Sequence, residues 1–329
     1  MKLLFGTEEK IHLYNLKMKL LFSSVPKKNL ERKMIMEKAK VYFIKEITPE
    51  NVVKIFENLG KDLPGKVAVK VHSGEEGNQN YLHPEFMRPM VEYVSGTIVE
   101  CNTAYGGERN TTEKHLKTIE RHGWNKYFDV DLMDKEGPDI VVPVKNGKIL
   151  KEDFLGKNIE NYDSMLVLSH FKGHPMGGYG GALKQLSIGC ASSEGKAWIH
   201  SAGKNKDQYT LWDHLPKQDE FLESMADAAS AVVDYFKGNM AFINIMANMS
   251  VDCDCCAVAE DPCMKDIGIL ASLDPVAIDQ ACIDLVNASD DPGKDHFLER
   301  VNSRHGTHTI DAAAELGFGT KEYELINVE

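Results

Sequence analysis

Short apolar runs rich in β-branched residues alternate along the chain with stretches whose apolar side chains recur every three or four positions. Residues 41–45, 65–71, 97–100, 164–169, 241–246 and 267–272 read as strands. Residues 49–59, 84–94, 112–122 and 220–236 read as helices. Pro84 stands in a first turn, Gly123 follows a last turn, and Ala226, Ala228, Ala229 and Ala231 give the longest helix a small-residue face. Asp274-Pro275 opens a further helix, with Asp as cap and Pro at the first helical position. Asn146-Gly147 is the strongest hairpin signal and predicts that 139–144 pairs with 148–150. This alternation predicts an α/β fold, a mostly parallel sheet flanked by helices. It occupies residues 36–329 as one large domain or as two lobes around a cleft.

In such sheets ligands bind beyond the carboxyl ends of the strands, and the polar, glycine-rich segments of this chain fall there. The densest runs from His170 to His200. It has five glycines between 173 and 181, so Gly177, Gly178, Gly180 and Gly181 are expected to let the backbone approach a ligand and to present N–H groups to an anion. Lys172, Lys184 and Lys196 supply positive charge, and His170, His174 and His200 supply titratable or metal-binding nitrogens. The spacing is not that of a Walker A loop, and no Ser or Thr follows Lys184. Two further segments follow strands. One carries Lys70 and His72, and the other carries Arg109, whose guanidinium suits a carboxylate or phosphate.

Seven cysteines, an odd number, without a secretory signal argue for reduced or metal-bound thiols rather than disulfides. Residues 252–256 read Asp-Cys-Asp-Cys-Cys, and Cys263 lies seven residues further on. Cys253, Cys255, Cys256 and Cys263 are the expected metal ligands, for zinc or an iron-sulfur cluster. Packed reduced thiols are the alternative. Cys282 is expected in the core, Asp279 on an exposed helix face, and His305 and His308 at the surface.

The formal charge of −12 argues against nucleic acid as the main partner and leaves room for a local basic pocket that takes a small anion. Residues 1–40 hold ten Lys and Arg against four Asp and Glu. Residues 1–35 therefore read as a basic extension, either poorly ordered, an early start, or an amphipathic anchor. No apolar run approaches the roughly 18 residues of a membrane span, and a cytoplasmic location is expected.

Together these motifs resemble the domain of unknown function 362 family of iron-sulfur-center proteins. The marks are Lys70-Val-His72 with Gly74, the Arg109 loop, Ser169-His-Phe-Lys-Gly-His174 with Gly177, Gly178 and Lys184, Gly195-Lys196 with His200-Ser-Ala-Gly203, Asp252-Cys-Asp-Cys255, and Asp274-Pro-Val-Ala-Ile-Asp279. Many members carry a ferredoxin-like insert after the segment matching 200–203. Residues 204–219 contain no cysteine, so the family's 4Fe-4S inference does not carry over. A fainter similarity, to nickel-pincer lactate racemases, would give His174, Lys184 and His200 the parts of a histidine before a turn, a cofactor tether and a nickel ligand.

The leading reading is a metal- or cluster-dependent protein that binds a small anion or organic cofactor at the glycine-rich loop 170–200. If it is an enzyme, Lys184 would be the charged or covalent anchor, and Lys172 is a further catalytic candidate. His174 and His200 would be acid/base groups or ligands, and Lys70 and Arg109 would neutralise substrate charge. The rival readings are a non-catalytic iron-sulfur carrier or assembly factor, a racemase-like isomerase containing nickel, and a structural zinc protein. Substrate, reaction, metal and oligomeric state stay open at this level.

Overall fold

Continuous apolar strands need cover on both faces, and the chain supplies it. The computed structural model describes residues 38–329, so the basic extension read over 1–35 lies outside the described residues. The strands are β1 (Ala39–Ile44), β2 (Val67–Lys70), β3 (Thr97–Glu100), β4 (Val130–Leu132), β5 (Ile140–Pro143), β6 (Glu152–Leu155), β7 (Ser164–His170), β8 (Lys172–His174), β9 (Gly178–Gly180), β10 (Met240–Met246), β11 (Gly268–Ser272) and β12 (Tyr323–Asn327). The α-helices are α1 (Pro49–Glu57), α2 (Pro84–Tyr93), α3 (Thr112–Arg121), α4 (Ala182–Cys190), α5 (Ser193–His200), α6 (Gln218–Phe236), α7 (Pro275–Ala288), α8 (Lys294–Ser303) and α9 (His308–Leu316). Ala39–Glu329 pack as one compact unit.

Eight strands form a single sheet in the order β12-β1-β11-β10-β7-β2-β3-β4. Neighbours are parallel throughout, except that β11 runs antiparallel to both β1 and β10. Side chains alternate between two cores. Met165 and Val167 of β7 join Leu183, Leu186, Ala226 and Ile278 from α4, α6 and α7 on one face. Leu166 and Leu168 join Val52, Ile55, Met90 and Ile119 from α1, α2 and α3 on the other. This two-sided burial is why β7 reads as an unbroken apolar run. Cys282 lies in the first core, as expected.

The order also places the site. The connection leaving β2 runs to β3 on one side, and the connection leaving β7 runs to β10 on the other. β2 and β7 are themselves paired, Lys70 opposite Val167. The chain direction therefore switches between them, which opens a crevice at their carboxyl ends.

Two expectations are corrected. Residues 148–150 do not pair with 139–144. Their three N–H groups bind the Asp227 carboxylate at 2.9, 2.6 and 2.7 Å, and the partner of β5 is β6 instead. Asp279 is not exposed. It is fully buried and accepts the Ala182 and Leu183 N–H groups at 2.8 and 3.0 Å, with Asn244 and Tyr179 donating as well. Asp274 caps α7 as expected, accepting from Val276 and Ala277.

Candidate functional site

The stretch from His170 to His200 is a small hairpin followed by two helices rather than one loop. β8 and β9 pair through Lys172–Gly180 and His174–Gly178. Lys184 sits in the first turns of α4, Lys196 lies on α5, and His200 ends α5. The glycines serve packing. A Cβ at Gly173 would fall 2.2 Å from the Val251 carbonyl, and one at Gly181 would fall 2.5 Å from Asp279. Gly178 has φ +79 and abuts Gly306, which excludes an ordinary side chain. Gly177 N–H donates to the His174 ring. None of Gly177, Gly178, Gly180 and Gly181 borders the cavity described next. The N–H groups that open α4, those of Ala182 and Leu183, are taken by the protein's own Asp279.

A cavity of about 520 Å³ lies over the β2–β7 junction. Its wall includes Lys70, His72, Arg109, His174, Lys184, Lys196 and His200, with Glu100 as its single carboxylate. Cys255, Cys256, Tyr105, Gln185, Leu211 and Trp212 complete much of it. Two loops, those after β2 and β3, hold the cysteine turn against this wall. Glu75 N–H donates to the Asp254 carbonyl at 2.8 Å, Asn78 to the Cys256 carbonyl at 2.8 Å, and the Tyr105 hydroxyl to the Cys255 carbonyl at 3.1 Å. Beneath it, the buried Asp254 carboxylate accepts from His170 at 2.9 Å and forms an ion pair with Lys172 at 2.8 Å. Burial would raise this carboxyl, but His170 and Lys172 outweigh burial and hold it well below the usual range.

The cations divide into two kinds. Lys70 donates to Glu100 at 2.6 Å, to Gln185 at 3.1 Å and to the Val71 carbonyl, so its three donors are used. Arg109 donates to Glu75 at 3.3 Å and to Tyr105 at 2.9 Å, and lies 3.6 Å from Glu100. Burial pushes Glu100 up, yet Lys70 and Arg109 bring it down to about 2. The charge of Lys70 and Arg109, expected to neutralise that of a substrate, is already met by Glu100 and Glu75. Lys172 is likewise matched by Asp254 and does not border the cavity. Lys184 and Lys196 differ. Lys184 has the Cys253 thiol at 3.8 Å, and Lys196 donates to the Ala191 carbonyl at 2.6 Å. Neither has a salt-bridge partner among the described residues, whereas Lys70, Arg109 and Lys172 each do.

His174, Cys253 and Cys255 form a candidate metal-binding group, with one ligand atom from each lying within 4.8 Å of the others. Two thiols and an imidazole, with Cys255 and His174 open to the cavity, are a zinc-like donor set; an iron-sulfur cluster usually takes four thiolates. Cys263 stands apart from this group and from the cavity wall, its thiol donating to the Met249 carbonyl at 3.3 Å. Burial pushes the Cys253 thiol up to about 11. The His174 ring is held by the Met176 and Gly177 N–H groups, which donate to Nδ1 at 3.1 and 2.8 Å. The proton of the neutral ring then sits on Nε2, 3.8 Å from the Cys255 sulfur, and metal capture at this nitrogen would displace it. His200 is held in the opposite sense: its Nδ1–H donates to the Lys196 carbonyl at 2.7 Å, leaving the Nε2 lone pair free. Burial lowers both rings to about 4.

Glu75 and Leu211–Trp212 were not singled out from the sequence, and Asp254 stood there only as part of the cysteine motif. For Glu75 the available signal was an acid close after Lys70 and His72. For Leu211 and Trp212 there was no signal, because they lie on a short turn with no periodicity.

Fold and site together define an open α/β protein with a cationic cavity at the carboxyl edge of its sheet. Within that class, the chain belongs to the family described as Domain of unknown function (DUF362), whose model matches residues 67–284. No curated protein matches it. Among solved structures it is similar to the lactate racemase apoprotein from Thermoanaerobacterium thermosaccharolyticum, at 14% identity over 63% of this chain and 50% of that one, with a TM-score of 0.36. It is also similar to a protein from Thermotoga maritima, at 12% identity over 81% of this chain and 58% of that one, with a TM-score of 0.34. The chain thus spans about half the length of these two proteins. No helix among the described residues is long and apolar enough to cross a membrane.

Proposed function

We propose that the chain binds a small anion in the cavity, in contact with Lys184 and Lys196, beside a metal ion held by Cys253, Cys255 and His174. The observation that carries this reading is the charge of the wall: four Lys or Arg residues face the space with Glu100 as the sole carboxylate. Lys70 and Arg109 are already compensated by buried acids. The uncompensated positive charge belongs to Lys184 and Lys196, and an anionic ligand would relieve the cost of burying it. Zinc suits the donor set, and a bound zinc ion supplies Lewis acidity to an adjacent ligand oxygen. The chain's own residues orient that ligand: Lys184 and Lys196 take its charge, His200 offers a lone pair, and Leu211 and Trp212 shield it from water.

Two measurements test this. Phosphate and pyruvate, titrated at low ionic strength, should each raise the melting temperature of the wild-type protein. Lys184→Ala combined with Lys196→Met should weaken binding by about tenfold or more, equivalent to about 1.4 kcal/mol. Unchanged affinity in the double variant would remove the anion site. Elemental analysis should return stoichiometric zinc that is lost in a Cys253→Ser, Cys255→Ser variant. Iron with a cluster absorption spectrum would instead favour the cluster-carrier reading.

A further inference from the structure

Lys196 is the anomaly among the buried cations. Its side chain is buried, with the residue 6% exposed, and it borders the cavity from α5. Lys70, Lys172 and Arg109 are buried to a similar degree, and each has a carboxylate within salt-bridge distance. Among the described residues Lys196 has a single hydrogen bond, to the Ala191 carbonyl at 2.6 Å. An ammonium group presents three donors, so two remain to be satisfied inside the cavity.

Such a site penalises the ammonium ion relative to the amine, which loses little on leaving water, and so enlarges the uncharged fraction while the ammonium form remains the one that meets an anion. Burial accordingly lowers the Lys196 amine below its ordinary range. A neutral lysine amine at a cavity wall is a nucleophile, the arrangement that imine-forming lysines use. His200, one helical turn further on, is tied through Nδ1–H to the Lys196 carbonyl and keeps an unprotonated Nε2 at the same wall. Lys184 is the second cavity cation without a carboxylate.

We infer that Lys196 forms a reversible imine with a small carbonyl compound that carries a carboxylate, a 2-oxo acid being the simplest case. This assignment rests on the anion-binding reading above and narrows its ligand to a carbonyl acid. The lysine nitrogen attacks the carbonyl carbon, a C–N bond forms, and the carbonyl electron pair moves to oxygen, which takes a proton. The carbinolamine hydroxyl then takes a second proton, the C–O bond breaks, water leaves, and the nitrogen gives up its remaining proton to yield the imine, so that both nitrogen protons end on the water. His200 Nε2 is the group placed to carry protons from the nitrogen to the oxygen. No oxidant or reductant is consumed. Lys184 holds the carboxylate.

The test is reductive trapping. Full-length wild-type protein is incubated with pyruvate and cyanoborohydride, and parallel samples receive acetone or heat-denatured protein. The expected result is one reduced adduct per chain, mapped by peptide mass spectrometry to Lys196, formed faster with pyruvate than with acetone and slowed by excess phosphate. Lys196→Arg should abolish it, and Lys184→Ala should slow it without moving it. The peptide map is read on wild-type protein, so the result does not depend on a variant folding. Adducts spread over surface lysines at the denatured-protein rate, or a specific adduct on Lys184, overturn the assignment. Phosphate and pyruvate binding without an adduct overturns this inference alone, and absence of both binding and adduct overturns the anion-binding reading with it.

Discussion

Lys70 Nζ lies 2.6 Å from a carboxylate oxygen of Glu100, and both side chains are sealed from solvent. The two residues end neighbouring strands, and each brings a charge into an interior that would otherwise reject it. Glu100→Gln should cost about 3–5 kcal/mol, because Lys70 is left without a counter-charge. Lys70→Met combined with Glu100→Leu should cost less than the two single changes added together. Urea denaturation of the three variants checks the pairing. Glu100 is lowered from 4.5 to about 2, so its contribution is fully present above about pH 4.5 and is lost as pH falls from there toward 2.

Asp254 supports the thiols from beneath. Asp254→Asn leaves Lys172 and His170 without their shared carboxylate and loosens the turn that carries Cys253 and Cys255. Zinc affinity should fall by about 10- to 100-fold, the usual cost of losing a group that supports metal ligands. Competition with a chromophoric chelator measures it. Unchanged affinity would separate Asp254 from the metal group.

Asp153 is fully buried, receives the Phe154 N–H at 2.9 Å, and has one carboxylate oxygen without a partner. Burial raises it from 3.8 to about 7, with Lys196 opposing and Asp139 adding to the rise. The folded state therefore holds its proton more tightly than the unfolded chain does. Stability should fall as pH rises from about 4 to 7 and level off above that. Asp153→Asn should flatten this slope, with a gain at alkaline pH of up to about 4 kcal/mol, from the roughly 1.4 kcal/mol per pKa unit. Thermal melts of both proteins across that range decide it.

Gly181→Ala drives a methyl group into Asp279, 2.5 Å from its carboxylate. The clash separates Asp279 from the start of α4 and shifts Lys184 with it. A loss of about 2–3 kcal/mol is expected, in the range of core overpacking, together with weaker phosphate binding. Gly106→Ala, which meets nothing within 4 Å, is the control and should leave the melting temperature unchanged.

The sheet was legible in the sequence because buried parallel strands write themselves as β-branched runs; β2, β7, β10 and β11 fall within two residues of their expected bounds. The convergence of Lys70, Arg109, His174, Lys184, Lys196 and His200 on one cavity was legible too, since topology puts loops that follow parallel strands at one edge. What stayed hidden was compensation. Whether a lysine is free or paired depends on neighbours about 30 to 80 residues away in sequence: Glu100 for Lys70, Asp254 for Lys172. Asp279 and residues 148–150 were misread for a related reason. The carboxylates of Asp279 and Asp227 reach across to backbone N–H groups on another element, at 182–183 and 148–150, and no local pattern announces that.

The pairing of β2 with β7 joins Lys70 to Val167 across almost a hundred residues of intervening chain. Slow, non-local closure of this kind separates a partly collapsed chain from a finished one. Lys70, Lys184 and His174 share a wall only after it has happened, so a half-folded chain offers a ligand no complete pocket. A ligand that grips this wall would stabilise only the completed sheet. Ligand occupancy would then double as an inspection step, sparing finished molecules and leaving incomplete ones to unfolding and proteolysis.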